Sequence, residues 1–138
     1  MCFVINTRAK RPTQRAMWKV VSIRGDGSVR SLIRSKHRWA ADTSFKRDPG
    51  RTEVDSYDWW TDKPIKKAKH GIYVYTDKRE ALAACGSTFG PAEYVPMKVI
   101  VKPKDWLHSS KLEDCKYGRM ATYDEVYVPE DQPYMEWY

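Results

Sequence analysis

Cations and indole rings crowd together in the first half of this sequence. Arg24, Arg30, Arg34, Lys36 and Arg38 follow one another closely, and Trp39 comes immediately after. A second group, Lys63, Lys66, Lys67, Lys69 and His70, lies just beyond Trp59 and Trp60. Guanidinium and ammonium groups beside flat aromatic rings are the tools for holding phosphates or carboxylates, because forked N–H donors match the oxygens and the rings stack. The candidate ligand-binding set is therefore Arg30, Arg34, Lys36, Arg38, Trp39, Trp59, Trp60, Lys66, Lys67 and Lys69. If a strand runs through residues 28–34, its alternation places Arg30 and Arg34 on one face, where two guanidiniums can share one anion.

The charge is unevenly spread along the chain. The whole carries +7, but residues 1–70 hold 17 Lys and Arg against 7 Asp and Glu (+10), and residues 71–138 hold 8 against 11 (−3). Such a split suits a surface that meets an anion, whereas a plain solvated surface needs no segregation. The expected anion is a nucleic acid, a nucleotide or an acidic protein surface, and a protein of this sign does not mimic DNA.

Other chemistries find less support. Cys2, Cys85 and Cys115 are odd in number and lack CxxC spacing, so neither a disulfide framework nor a zinc site is expected. No residue near Cys85 or Cys115 activates either thiol, and a Cys at an Ala-Ala-Cys-Gly helix end is a packing residue. No GxGxxG, no phosphate-cradling GKS or GKT and no HExxH is present, and no metal or cofactor is expected.

These residues need elements to position them. Met17–Ile23 and Ser28–Arg34 flank Arg24-Gly25-Asp26-Gly27, which predicts a β-hairpin whose turn uses glycine at positive φ. Residues 35–64 show no sustained period and contain Pro49-Gly50, so they read as a long basic and aromatic loop. Gly71-Ile72-Tyr73-Val74-Tyr75 has the composition of a short strand. A helix should follow, capped by Asp77 with Glu80 as reciprocal partner, propagated by Ala81–Ala84 and stopped at Gly86. Met97–Lys102 reads as a strand closed by Pro103. Arg119–Val128 reads as one last strand with Tyr123, Glu125 and Tyr127 on a common face.

The expected fold is α+β: a small, mostly antiparallel sheet of four to six strands with one or two short helices and a long basic and aromatic loop region. At 138 residues it is expected to be a single domain. Residues 1–16 read as a polar arm, and residues 129–138 as an acidic, aromatic tail whose sign allows pairing with a neighbour's basic loops in a homo-oligomer. No apolar run is long enough to span a membrane and the first residues fit no secretory signal, so a cytoplasmic protein is expected.

The chain also resembles small proteins encoded by bacteriophages and prophages. The likeness rests on Met1-Cys2, on Trp18-Lys19-Val20-Val21 and on Gly71–Tyr75 leading to Glu80-Ala81. It continues through Val99–Pro103 and closes on Tyr117-Gly118 with Ala121-Thr122-Tyr123. This resemblance implies a phage accessory protein that disarms a host system, possible defence components included, by capturing a partner.

A second, fainter similarity is to the ADP-ribosyltransferase-like fold. Gly71–Val74 is similar to the segment that packs on nicotinamide there, and Tyr123–Tyr127 to the strand carrying the catalytic Glu. The similarity implies an NAD-using enzyme with Arg24, Tyr73 and Glu125 in its site, Glu125 stabilising the oxocarbenium left when nicotinamide departs. The chain lacks the first-strand His, the Ser-Thr-Ser and the paired Glu-x-Glu of that superfamily. Two classes thus stand side by side: a non-catalytic binder of an anionic partner, and an NAD-dependent transferase.

Overall fold

A computed structural model describes residues 8–31, 37–47, 56–57, 64–65, 71–86, 93–110 and 120–137. The first hairpin forms where its glycines place it. β1 (Ala16–Ile23) and β2 (Val29–Ser31) pair antiparallel, with Ser22 opposite Arg30 and Ile23 opposite Val29. Gly27 takes φ 82°, the left-handed region that side chains disfavour. Asp26 finishes the turn by accepting hydrogen bonds from the Ser28 backbone N–H at 2.9 Å and hydroxyl at 2.6 Å.

The predicted helix is α1 (Lys78–Gly86), and Asp77 caps it: its Oδ1 accepts from the Arg79 N–H at 2.8 Å. Ala81 and Ala84 are its buried residues. They pack with Val20 of β1 and Tyr75 of β7 (Ile72–Tyr75), flanked by Trp18 and Tyr94, so α1 covers one face of the sheet. Small alanines let the helix lie close to the strands.

The other face carries the larger core. Met17 and Val21 of β1 lie there with Val95, Met97, Val99 and Val101 of β8 (Glu93–Val101) and Val126 and Val128 of β11 (Glu125–Val128). Each such buried side chain contributes about 1.5–3 kcal/mol of transfer free energy, which fixes the register, since a one-residue slip would turn the valines outward.

Among the described residues nine strands form this sheet, more than the four to six expected. β1 is central. One of its edges runs along β8, and β11 and β4 (Thr43–Lys46) follow beyond. The other edge forks: Trp18 pairs with Tyr75 of β7, while Val21–Ile23 pair with β2, which pairs in turn with β3 (Arg38–Trp39). β10 (Met120–Tyr123) and β9 (Trp106–Ser109) continue outward from β7, with a 3₁₀ turn at Pro103–Asp105 before β9. The far strands β3 and β4 come together, because Trp39 and Phe45 lie 4.7 Å apart and both rings meet His37. The sheet is therefore curled over its inner face. A separate two-stranded ladder joins β5 (Ser56–Tyr57) and β6 (Pro64–Ile65).

Two expectations need correcting. The stretch read as a long loop over 35–64 contains β3, β4 and β5 and reaches the first residue of β6. The last strand is two strands, broken at Asp124: β10 pairs with β7 and β9, and β11 with β4 and β8. The break changes the alternation, so Tyr123 points into the core while Glu125 and Tyr127 are partly exposed, and the three do not share a face.

Pro96 lies inside β8, and the pairing explains how. Val101 donates to the Arg15 carbonyl at 2.8 Å, so the odd-numbered residues of β8 turn their backbone groups toward β1 and the even-numbered ones away. The missing N–H of Pro96 thus falls on the side beyond the pairing with β11, which covers only Ile100 and Val101. On that side Lys98 meets the Gln132 side chain instead of a strand: its N–H donates to Oε1 at 2.7 Å, and Nε2 donates to its carbonyl at 2.8 Å. Tyr134 then packs edge-on against Trp18, and Met135 is buried in the core. The acidic tail is docked on its own chain. The polar arm is tied down too, with Gln14 Nε2 donating to the Thr76 carbonyl at 2.6 Å; residues 1–7 lie outside the described residues.

Candidate anion-binding site

Arg30 and Arg38 stand directly opposite one another across β2 and β3. The neighbouring bond from the Ser31 N–H to the His37 carbonyl, 3.3 Å long, makes Arg30–Arg38 the narrow kind of antiparallel pair, with Cα atoms about 4.5 Å apart and side chains close. Ser22 of β1 continues the row on the same face. Arg30 Nε donates to the Ser28 hydroxyl at 3.0 Å, and its Nη2 lies 3.9 Å from Asp26 Oδ2. Arg38 is exposed, and among the described residues no hydrogen bond or ion pair holds its guanidinium. Arg24, also exposed, opens the same turn. Arg30 and Arg38 both act on the Asp26 carboxylate, and Arg24 lies at the head of the same turn.

Asp26 registers this field. Its carboxyl is held below the usual carboxylate range, first by the Ser28 hydrogen bonds and then by the charges of Arg30 and Arg38. Like charges directly opposite one another on a sheet are destabilising. Asp26 relieves part of that repulsion, and a bound phosphate or carboxylate would relieve the rest.

The remaining sequence candidates divide by position. Trp39, adjacent to Arg38, points to the opposite face, as alternation requires. It is buried at 6 % exposure, its indole N–H donates to the Ser31 hydroxyl at 2.8 Å, and its ring packs on His37 and Phe45. It is a core residue and presents no stacking surface beside the arginines. Arg34, Lys36, Trp59, Trp60, Lys66, Lys67 and Lys69 lie outside the described residues. Among the described residues strand pairing brings Arg38 onto the same face as Arg30.

Among the described residues the two halves of the sequence share one sheet. The sheet interleaves the halves: β4 lies against β11, with Lys46 opposite Glu125, and Arg47 Nε is 2.6 Å from Asp124 Oδ1. Lys46 of β4 and the adjacent Arg47 thus meet acidic residues from the second half.

Arg24, Tyr73 and Glu125, the trio of the transferase similarity, come from three places in the sheet: Arg24 follows the end of β1, Tyr73 lies within β7 and Glu125 opens β11. Tyr73 lies on β7, with β8 and β1 between it and β11. The Cys85 thiol is pushed up by burial, away from the reactive thiolate.

Sequence reading overlooked Lys19. It alternates with Met17 and Val21 on the inner face, so the strand's own period of two would have placed it there. β7 leaves β1 just after Trp18–Tyr75, and the Tyr73 carbonyl, which would have met the next backbone N–H of β1, accepts Lys19 Nζ at 2.9 Å instead. The ammonium also lies 5.7 Å from the centre of the Trp39 ring. Desolvation lowers its pKa to about 8. Lys19 is the bolt at the fork of the sheet.

Among the described residues no helix is long and apolar enough to cross a membrane. No protein family, curated protein or solved structure matches the chain.

Proposed function

We propose that the protein is a non-catalytic binder of an anionic partner, engaged through the arginine row at the β1–β2–β3 end of the sheet. The observation that carries this reading is the direct opposition of Arg30 and Arg38, two arginines in a narrow pair, with Arg24 opening the same turn. Two adjacent forks form charge-assisted hydrogen bonds to one phosphate or carboxylate group. The partner class is a nucleic acid, a nucleotide or an acidic protein surface. With the phage-like sequence pattern, the reading extends to an accessory factor that binds, and so inhibits, a component of its host.

The test is to purify the protein and its Arg30→Gln, Arg38→Gln double variant from the same cells, then compare co-purifying anions by absorbance ratio and mass spectrometry. Loss of two charge-assisted bonds, each about 1.5–3 kcal/mol, should reduce retained anion at least tenfold. Equal retention by both proteins would refute the assignment.

A further inference from the structure

We propose that the arginine row reads ribose as well as phosphate: Asp26 accepts a hydrogen bond from a ribose 2′-hydroxyl, and the partner is single-stranded RNA. This inference rests on the anion-binding reading of Arg30 and Arg38 and narrows the partner which that reading leaves open.

A row that met only anions would gain nothing from a carboxylate, which repels them. Asp26 nevertheless stands beside these cations, exposed in the hairpin turn with 57 % of its side-chain surface open. Turn chemistry accounts for one of its oxygens. Oδ1 accepts both Ser28 bonds, from the backbone N–H at 2.9 Å and from the hydroxyl at 2.6 Å. Oδ2 is turned to Arg30, whose Nη2 lies 3.9 Å away, beyond hydrogen-bonding distance. Its lone pairs are therefore available to a ligand that reaches the arginines. The geometry around it is held from two sides: Arg30 Nε donates to the Ser28 hydroxyl at 3.0 Å, which draws the guanidinium back along the strand toward the turn, and Arg38 stands opposite Arg30 on the same face. Two forked donors and one acceptor thus border the same end of the hairpin.

The ligand class follows from that combination. It must bring an anion to the arginines and, close beside it, a hydrogen to donate to Asp26. Inorganic phosphate and the DNA backbone bring the first without the second, and an acidic protein surface brings carboxylates that Asp26 repels. RNA brings both, because each ribose carries its 2′-hydroxyl on the carbon next to the one that bears the 3′-phosphate. The charges agree as well. Two guanidiniums against one carboxylate leave a single positive charge, the complement of the single negative charge on a phosphodiester.

The experiment uses the full chain and two labelled single-stranded adenine oligonucleotides of equal length, one ribo and one deoxy, titrated at one salt concentration. The native protein should bind the ribo strand about tenfold more tightly, the worth of one hydrogen bond to a charged group. Asp26→Asn keeps an acceptor for Ser28, and so keeps the turn, but removes the charge and the second acceptor. It should gain affinity for the deoxy strand and bring the ratio of affinities close to one. Equal binding of both strands by the native protein, or the native ratio in Asp26→Asn, overturns the proposal. Arg30→Gln, Arg38→Gln separates this outcome from failure of the underlying reading. Weaker binding of both strands by that variant, with no ribose preference in the native protein, keeps the arginine row and removes only the role of Asp26. Undiminished binding of both strands by that variant removes the row itself, and this proposal with it.

Discussion

Arg38 faces Arg30 across a two-residue strand, and the sheet holds these like charges in the narrow type of antiparallel pair. Such an arrangement costs stability, on the order of 0.2–1 kcal/mol for a cross-strand pair. Replacing Arg38 by Thr, a good strand former, should therefore raise the unfolding free energy by a few tenths of a kcal/mol while weakening anion binding. Chemical denaturation and a binding titration on the same preparation check both signs. A destabilised Arg38→Thr protein would mean that the pair is not repulsive.

Lys19 makes the fold sensitive to alkaline pH. Its folded pKa of about 8 lies below the ordinary lysine value of 10.5, so between these limits the unfolded chain binds more protons than the folded one. Stability should then rise with pH through that window, by about 1–3 kcal/mol between pH 8 and pH 10. Burial pushes the Tyr123 phenol up to about 12, and its contribution has the opposite sign, falling once unfolded tyrosine ionises above about pH 10. Urea denaturation at stepped pH should show the rise in the native protein and not in Lys19→Met. A rise of equal size in the variant would remove Lys19 as its cause.

The Gln132 amide stands in for a strand at Lys98, answering both backbone groups. Gln132→Ala should leave the Lys98 N–H and carbonyl to water and loosen the tail, at a cost of about 1–3 kcal/mol. Hydrogen exchange of the Lys98 amide should quicken, and Tyr134 should lose its packing on Trp18. Unchanged exchange at Lys98 would show that the Gln132 amide does not protect this stretch of β8.

Gly71 is required by close approach. A Cβ there would come within 2.7 Å of Leu107 Cδ1 and 2.9 Å of the Tyr123 carbonyl oxygen. The Leu107 side chain can move aside, but the backbone oxygen cannot. Gly71→Ala should lower stability by about 1–3 kcal/mol, a typical overpacking cost, and thermal unfolding measures it.

Much of the local structure was legible in the sequence, and the exceptions have physical causes. The first hairpin and α1 announce themselves because Gly27 and Asp77 supply geometry that few other residues can. β3 and β4 were not legible, since two and four residues are too short to display a period. The break at Asp124 was hidden because Ala121–Val128 has strand composition throughout, and only the change of partners from β7 to β8 requires the corner. At the candidate site, Arg30 was recognisable as a strand cation, but its partner depended on register. Sequence proximity grouped Trp39 with Arg38, and alternation then sent the indole to the core and the guanidinium to the surface.

The most direct measurement is the affinity for a labelled single-stranded oligonucleotide, a generic polyanion, as a function of salt concentration, for the native protein and for Arg30→Gln, Arg38→Gln. Log affinity should fall linearly with log salt in the native protein, and the slope should shrink by about one for each phosphate contact removed in the variant. Identical slopes and affinities for the two proteins would contradict the assignment of anion binding to this pair.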